Sequence, residues 1–355
     1  MGKLTIREIA DLAGVSTTTV SHILNDKGQR FSDETRNRVL KVIEENRYTP
    51  NYFASNIIKN ESHLIGIIVP LITEPFAATL INLIQKNLNK QGFHLMISES
   101  MSDEAEELEL FERYRQMAVE SILCFTSTVF SEEVINDSCY MGIPVVFVDR
   151  GINKSHFGNV YFNEYETVFN AIELLIEAGH KKIGLITDDG KIYAFPDRSN
   201  AYYDALKKHD LPILENQIIA TEFSVRAGYL ATKKMIDESD VTAIFCCDDN
   251  LALGCYQAVF DSGKQVNQDI KIVGFDGVEM LKNVRPQIKT LNLPFVAFAD
   301  IMSYKLLIAM EFPMKKQQDT YLEMRYLKKV VFNDRGDVIK RKSTTNYRDI
   351  RSSSK

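Results

Sequence analysis

The spacing of apolar residues divides the chain near residue 60. Before that point apolar positions recur at intervals of three and four residues, which is typical of amphipathic helices. After it, short apolar runs alternate with amphipathic stretches, which is typical of a parallel sheet covered by helices. The pattern therefore predicts a small all-α unit followed by a larger α/β unit.

The first sixty residues predict a helix-turn-helix with a third supporting helix. Gly14 and Val15 form a turn between the first two helices, and Ser16 is expected to cap the second. The third is expected to begin at Ser32 and to end before Pro50. The inner faces of the first two helices carry these apolar residues: Ile6, Ile9, Ala10, Ala13, Val20, Ile23 and Leu24.

The second helix has an outward face of short polar side chains. Its members are Thr17, Thr18, Thr19, Ser21 and His22. Such donors and acceptors reach phosphates and base edges when a helix lies in a major groove. The alternative is an ordinary helical hairpin within a larger fold, whose second helix would be buried on more than one side. The polar face favours a DNA-reading helix.

The motifs of this region resemble the headpiece of the lactose-repressor (LacI-type) family. The matching segments are Thr5-Ile6-Arg7-Glu8-Ile9-Ala10-Asp11-Leu12-Ala13-Gly14-Val15-Ser16, Thr19-Val20-Ser21, Asn25, Thr35-Arg36 and Tyr48-Thr49-Pro50-Asn51. In that family the second helix reads the major groove, and paired hinge helices push an apolar side chain into the minor groove. The resemblance implies these DNA-binding residues: Thr5, Ser16, Thr17, Thr18, Thr19, Ser21, His22, Asn25, Tyr48, Asn51, Ala54 and Ile57.

At two of these positions the residue differs from the one that many family members carry. Ile57 stands where many members carry the Leu wedge, and His22 stands where many carry Arg. The segment after Pro50 has little to pack against alone, and short isolated helices are marginal in water. We therefore expect a hinge that becomes ordered with a partner.

Two series of strands predict two doubly wound lobes in the larger unit. The expected strands are 64–69, 93–97, 122–125 and 145–148 in the first series and 182–186, 218–223, 243–246 and 270–275 in the second. Segments 159–162 and 289–294 are candidate crossovers, which would make each lobe discontinuous. The resemblance implies a core similar to periplasmic sugar-binding proteins.

These expectations divide the chain into four parts. The headpiece comprises 1–50, the hinge 51–62, the core 63–345 and a basic tail 346–355. The first lobe takes 63–161 and 292–323, and the second takes 162–291 and 324–345. Without leucine heptads the C-terminal segment predicts no coiled coil, and its nine Lys or Arg between 328 and 355 fit a solvated tail.

Polar residues follow several of the predicted strands, and open α/β sheets bind ligands beyond the carboxyl ends of their strands. Carboxylates and a guanidinium suit hydroxyl pairs, and phenyl rings suit the C–H faces of a sugar. Position by position, the resemblance implies these effector contacts: Phe76, Asp149, Arg198, Phe223, Asp248 and Asp276. Glu74 stands where the family pattern has Asn.

Each effector contact also has a structural alternative. An Asp after a strand is often a helix N-cap, and one of the adjacent Asp248 and Asp249 is expected to be only that. Phe76 and Phe223 could be core residues. His22 could be a solvated helix residue.

Composition limits the function classes. The net charge of −6 argues against a nucleic-acid binder, but residues 1–60 carry nine Lys or Arg against seven Asp or Glu. The five cysteines have no CxxC spacing and fit buried thiols without a metal. With no signal-peptide pattern or membrane-length apolar run, we expect a cytoplasmic protein.

The function expected from these features is a transcription regulator, most simply a repressor of a carbohydrate operon. It would bind a palindromic duplex operator as a homodimer and respond to a small effector, a sugar or sugar phosphate, by a population shift between lobe arrangements. The alternatives are a sugar receptor and an enzyme acting on a sugar or nucleotide. The chain has no GxxxxGK[ST], GxGxxG after a strand, HExxH or GxSxG motif, so no enzyme class, cofactor or metal is indicated.

Overall fold

The structure is a computed structural model that divides into two compact units, Met1–His63 and Leu64–Lys355. The structure describes residues 4–24, 28–49, 62–126, 128, 130, 143–148, 160–191, 196–311 and 320–323.

The first unit contains three α-helices in its described part. They are α1 (Ile6–Ala13), α2 (Thr17–Leu24) and α3 (Asp33–Glu45), with a 3₁₀ turn at Gly28–Arg30. The N-terminus of α1 is closed by a capping box between Thr5 and Glu8, and Gly14 ends the helix in the left-handed conformation at φ 63°. The helix-turn-helix predicted from the spacing is confirmed.

A small hydrophobic core joins these helices. Arg38 on α3 adds a hydrogen bond from Nε to the carbonyl oxygen of Ala13, at 3.0 Å, which satisfies a terminal acceptor of α1. The fully buried residues of this core are Ile9, Ala10, Ala13, Val20, Ile23 and Val39. The core uses the apolar faces read from the sequence, and it leaves the opposite face of α2 in solvent.

The second unit contains two parallel sheets. The first sheet consists of β1 (Leu64–Val69), β2 (His94–Glu99), β3 (Ser121–Phe125), β4 (Val145–Val148), β5 (Val160–Asn163) and β11 (Thr320–Glu323). Its strand order is β11-β5-β4-β3-β1-β2, and every pairing is parallel. The helices α4 (Pro75–Asn89) and α5 (Glu104–Gln116) follow β1 and β2.

The second sheet consists of β6 (Ile183–Asp188), β7 (Ile218–Thr221), β8 (Ala243–Cys246), β9 (Lys271–Asp276) and β10 (Lys289–Asn292). Its order is β10-β9-β8-β6-β7, again all parallel. The remaining helices are α6 (Tyr165–Glu177), α7 (Pro196–Lys208), α8 (Val225–Glu238), α9 (Asp249–Asp261) and α10 (Phe295–Glu311). Two doubly wound parallel sheets were predicted, and this fold class is confirmed.

The two candidate crossover segments each coincide largely with a strand. Segment 159–162 overlaps β5, which pairs with β4 and β11, and segment 289–294 contains β10, which pairs with β9. The chain therefore leaves the first sheet after β5 and the second sheet after β10. The exact lobe and hinge boundaries stay a prediction.

The buried strands explain why the sheets lie inside. All six residues of β1 are buried, whereas His94, Ser98 and other positions of the edge strand β2 are partly or fully exposed. Runs buried on both faces are typical of parallel sheets covered by helices. In the described part of the chain, no helix combines the length and the hydropathy that crossing a bilayer requires.

Candidate functional site

The outward face of α2 is the first candidate site. Thr17 and Thr18 are exposed, while Val20 and Ile23 on the opposite face are buried. Thr19 is half-buried, and its backbone N–H donates to the hydroxyl oxygen of the capping residue Ser16 at 3.1 Å. The geometry leaves the Thr17 and Thr18 hydroxyls and methyl groups on the surface, where a groove could receive them.

Other expected DNA contacts of the first unit are less exposed to solvent or already have partners. Ser21 and His22 are half-buried on α2, and the His22 ring centroid lies 6.2 Å from that of Phe31. The buried Nδ1 of His22 makes no hydrogen bond within the described structure. Thr5 caps α1, because its hydroxyl oxygen accepts from the backbone N–H of Glu8 at 3.4 Å while its own backbone N–H donates to the Glu8 carboxylate at 2.6 Å.

Tyr48 packs partly against the headpiece core after α3, and burial raises the pKa of its phenol. Five expected contacts lie outside the described residues, so the structure gives no account of them. They are Asn25, Asn51, Ala54, Ile57 and Asp149.

The second candidate site lies where the strands of the second unit end, and Arg198 on α7 is the guanidinium that the described residues bring there. This side chain is 3% exposed. Its Nε and Nη2 donate to the two carboxylate oxygens of Glu164 at 2.7 Å each, and its Nη1 donates to the carbonyl oxygen of Cys247. The guanidinium carbon lies 3.8 Å from the centroid of the Phe275 ring. Arg198 is thus held in a fork–fork pair with Glu164 and on an aromatic face.

Electrostatics keep this guanidinium charged. Burial would lower the pKa of Arg198, but the Glu164 carboxylate, and then Asp276, raise it above its ordinary value. The nearest Asp276 oxygen lies 3.9 Å from Nη2. Burial raises the pKa of Asp276 strongly, although Arg198 opposes that shift. Arg198 therefore supplies the positive charge that stabilises the buried carboxyl groups of Glu164 and Asp276.

Asp248 and Asp249 have different structural roles at the start of α9. Asp248 is the N-cap, since its Oδ1 accepts from the backbone N–H of Leu251 at 2.8 Å. Burial raises the pKa of Asp248 to about 6 and that of Asp249 to about 7. One of this pair was expected to be a cap, and the cap is Asp248.

Asp249 fastens the loop after β9. Its Oδ2 accepts from the backbone N–H groups of Gly277 and Val278, at 2.8 Å each, and its Oδ1 accepts from the Thr290 hydroxyl at 2.6 Å. The preceding residue, Asp276, has φ 108°, a conformation that side chains other than glycine rarely adopt. Asp249 therefore holds the turn that sets the direction of Asp276.

The two aromatic residues expected as walls are both half-buried. Phe76 lies on α4 with its ring centroid 5.8 Å from that of Phe295, and Phe223 follows β7. Both pack against the hydrophobic core of the second unit. Each has one side in the core, so packing and ligand contact are compatible roles for them.

Sequence reasoning missed two residues of this group, Glu164 and Thr290. Glu164 directly follows β5, so the rule that selected Asp149 after β4 would also have selected it. It escaped because 159–162 was interpreted as a crossover rather than as a strand. Thr290 lies inside β10, and nothing in its sequence surroundings indicates a role.

Glu74, noted in the sequence as a departure from the family pattern, is 8% exposed at the N-cap position of α4. Its Oε2 accepts from the Asn250 side-chain amide at 3.2 Å, which joins the loop after β1 to the start of α9. Burial, and then the charge of Asp248, raise the pKa of Glu74 to about 7. This carboxyl group is therefore partly protonated at neutral pH.

No cluster of His, Cys, Asp and Glu within the described ranges has an arrangement suited to a metal ion. Cys124, Cys246, Cys247 and Cys255 are buried thiols. Burial, the largest cause, raises the pKa of Cys247 to about 12. At that pKa the Cys247 thiol stays protonated at neutral pH and is a poor nucleophile.

Family models match both units of the chain. Residues 5–51 match the model described as bacterial regulatory proteins of the lacI family. Residues 62–308 match the model described as periplasmic binding proteins and the sugar binding domain of the LacI family.

Individual relatives agree with these models. The chain is 28% identical over 322 residues to the ribose operon repressor of Haemophilus influenzae, covering 90% of this chain and 96% of the relative. A LacI family transcriptional regulator from Enterococcus faecium, solved with bound ribose, is 27% identical with a TM-score of 0.66, over 73% of this chain and 95% of that structure.

The lac repressor dimer bound to operator and the anti-inducer ONPF has a TM-score of 0.75 and 21% identity, over 91% of this chain and 97% of that structure. At that identity the likeness supports the fold alone. It extends over both the helical unit and the two-sheet unit.

Proposed function

Because the chain belongs to the LacI family of bacterial regulatory proteins, we propose that it is a ligand-responsive transcription repressor that binds a duplex operator. The observation that carries this proposal is the polar face of α2, with Thr17 and Thr18 exposed above the buried Val20 and Ile23. A helix buried on all sides would not present this face.

The remaining DNA contacts complete the proposal. Ser16, Thr17, Thr18, Thr19, Ser21 and His22 would meet the major groove, with Asn25, Thr5 and Tyr48 beside them. Asn51, Ala54 and Ile57 would form the hinge, with Ile57 as the minor-groove wedge. Binding to two half-sites requires a homodimer, and we place its action in the cytoplasm.

The effector site would lie at the strand ends of the second unit. Arg198, Asp248 and Asp276 gather there, with Phe76 and Phe223 as apolar walls and Asp149 as a further contact. The names of the ribose operon repressor and of the ribose-bound regulator favour a sugar and a carbohydrate operon. The ligand would act by favouring one of two lobe arrangements and so changing the stability of the hinge on DNA.

Neither alternative function explains both units. A sugar receptor or a sugar enzyme would use the two-sheet unit, but it would leave the match of residues 5–51 to a DNA-binding model without a role. None of the relatives described above is named as an enzyme.

The proposal is tested by duplex binding at several salt concentrations. A duplex selected from a random library by the purified full-length chain should bind with an affinity that falls steeply from 50 to 200 mM salt, because phosphate contacts release counterions. Thr18→Ala should weaken that binding by roughly fivefold to a hundredfold if the side chain meets a base.

The matched control is Asn37→Ala, an exposed polar residue on α3 that lies off the reading face. Its affinity for the selected duplex should stay within about twofold of the parent. If no duplex is selected, or if both variants weaken binding equally, α2 is not the reading helix.

A further inference from the structure

Glu74 is a buried carboxyl group that lacks a cationic partner among the described residues. The side chain is 8% exposed, and within the described ranges it accepts a hydrogen bond from the neutral side-chain amide of Asn250 at 3.2 Å. Although Glu74 occupies the N-cap position of α4, its side chain makes no capping hydrogen bond. A carboxylate removed from water without a cation is costly, so the group retains a proton or needs a positive partner.

Among the residues that the structure describes, those around Glu74 include more acidic than basic side chains. We define the strand-end cluster as Glu74, Glu164, Arg198, Asp248, Asp249 and Asp276, all of them less than 9% exposed. It contains five carboxyl groups and one guanidinium. Mutual electrostatic effects link Glu74 to Asp248, and Asp248 to both Arg198 and Asp276.

The guanidinium does not neutralise Glu74. Arg198 is engaged in the fork–fork pair with Glu164 and lies 3.9 Å from Asp276. Asp248 and Asp249 accept backbone hydrogen bonds, which partly satisfy their oxygens. Of the five carboxyl groups, Glu74 is the one whose contact in the described part of the chain is with a single neutral side chain, that of Asn250.

A phosphate and an ammonium group are expected to interact with the strand-end cluster in opposite ways. A phosphate brings negative charge toward five carboxyl groups, and like charges in a poorly solvated site repel strongly. An ammonium group brings one positive charge and three donors, which match the oxygens of Glu74 and of its neighbour Asp248. On binding, the ammonium would displace the proton of Glu74 to solvent.

We propose that Glu74 selects an effector bearing a protonated amine, namely an amino sugar, and excludes phosphorylated sugars. This proposal rests on the function proposed above, because it assigns the charge class of the ligand at that same site. It replaces the sugar phosphate among the ligands expected from the sequence. Glu74 acts as a specificity-determining residue, and Arg198 retains its pairing with Glu164.

The test uses matched saccharides and the full-length protein. Calorimetric dissociation constants are measured for glucose, glucosamine, N-acetylglucosamine and glucose 6-phosphate, and for the galactose and mannose counterparts. In at least one set the amine should bind at least about tenfold more tightly than its neutral twins, the ratio that a single charged hydrogen bond supplies. The phosphate should bind most weakly in every set.

Two variants identify the residue responsible. Glu74→Gln keeps the shape and removes the charge, so the amine and its neutral twins should bind equally. Glu109→Gln removes an exposed carboxylate on α5, and it should leave the amine preference unchanged. Comparing heats of binding in two buffers of different ionisation enthalpy should show proton release by the parent protein and a smaller release by Glu74→Gln.

Three results would overturn the proposal: a neutral or phosphorylated sugar that binds as tightly as its amine, no binding by any amine of the panel, or an amine preference that survives Glu74→Gln. Salt-dependent duplex binding by the same preparation separates this failure from that of the proposed function. If the duplex is bound while any of the three results holds, the charge selection alone is wrong.

Discussion

The face of α2 and the strand-end cluster use polar residues in opposite ways. Thr17 and Thr18 on α2 are exposed, so they can be read directly against an external partner. In the strand-end cluster the polar side chains are buried and have partners within the protein. Arg198 contacts Asp276 and the backbone of Cys247, and Asp249 accepts from two backbone N–H groups. A surface that contacts DNA needs only a stable scaffold below it, whereas most polar groups of a buried cluster need partners within the protein, and Glu74 is the member left for a ligand.

The comparison predicts that removing a polar group should be far more damaging in the cluster than on α2. The largest effect is expected for Arg198→Met, which leaves the buried Glu164 and Asp276 without their cation. The second unit should lose about 3–5 kcal/mol of unfolding free energy, measured by urea titration at pH 7.5. A loss this large arises from uncompensated charge rather than from lost volume.

Arg113→Met is the matched control for that substitution. Arg113 pairs with Glu109 on the exposed surface of α5, and such pairs contribute about 0–1 kcal/mol. Similar losses for Arg198→Met and Arg113→Met would mean that the cluster does not depend on its guanidinium.

A smaller effect is expected for Asp249→Asn. At pH 8, above its pKa of about 7, Asp249 accepts from Gly277, Val278 and Thr290. The Asn oxygen can still accept from Gly277 and Val278, but its NH2 then faces Thr290, so the charge and the hydrogen bond donated by the Thr290 hydroxyl are lost, which should cost about 1–3 kcal/mol. Urea titration measures this loss, and calorimetry should show weaker binding of the effector because the turn that holds Asp276 is loosened.

Asp261→Asn is the corresponding control, because Asp261 is exposed and accepts from the Tyr229 hydroxyl. It should change the unfolding free energy by less than about 0.5 kcal/mol. An Asp249→Asn variant as stable as this control would show that the loop after β9 does not need Asp249.

The smallest effect on stability is expected for the double substitution Thr17→Ala and Thr18→Ala. Both side chains are exposed, and Ala has the higher helix propensity, so the unfolding free energy of the first unit should stay within about 0.5 kcal/mol. Thermal unfolding followed by circular dichroism measures it. A loss above about 1 kcal/mol would show that these residues support the headpiece, and it would remove the contrast between the two regions.

Most of the fold could be predicted because most helices and strands have a recognisable local pattern of apolar residues. Helical spacing placed α1 and α2, and the apolar runs placed most strands within a few residues. The interpretation of 159–162 and 289–294 as crossovers overlooked β5 and β10, because these strands mix apolar and polar residues and lack the uninterrupted apolar runs that marked β4 and β8. The DNA-contact and effector-contact roles themselves stay predictions.

The candidate site was only partly predictable. Asp248 and Asp249 are identical in type and adjacent, and the sequence could not say which would cap α9. Thr290 joins the site from a different strand, 41 residues further along the chain than Asp249. Glu164 reaches Arg198 across 34 residues. Such pairings depend on the order of strands in the sheet, which no local pattern records.

By itself the sequence determined a helix-turn-helix with a polar outward face, two sets of parallel strands and the family to which they belong. These features follow from periodicity and motif, which act over a few neighbouring residues. Only the tertiary structure decided that Glu164 would hold Arg198, that Asp249 would fasten the turn at Asp276 and that Glu74 would be buried beside Asp248. The physical reason is that burial and charge pairing depend on which distant segments meet, and a buried charge takes its properties from its neighbours.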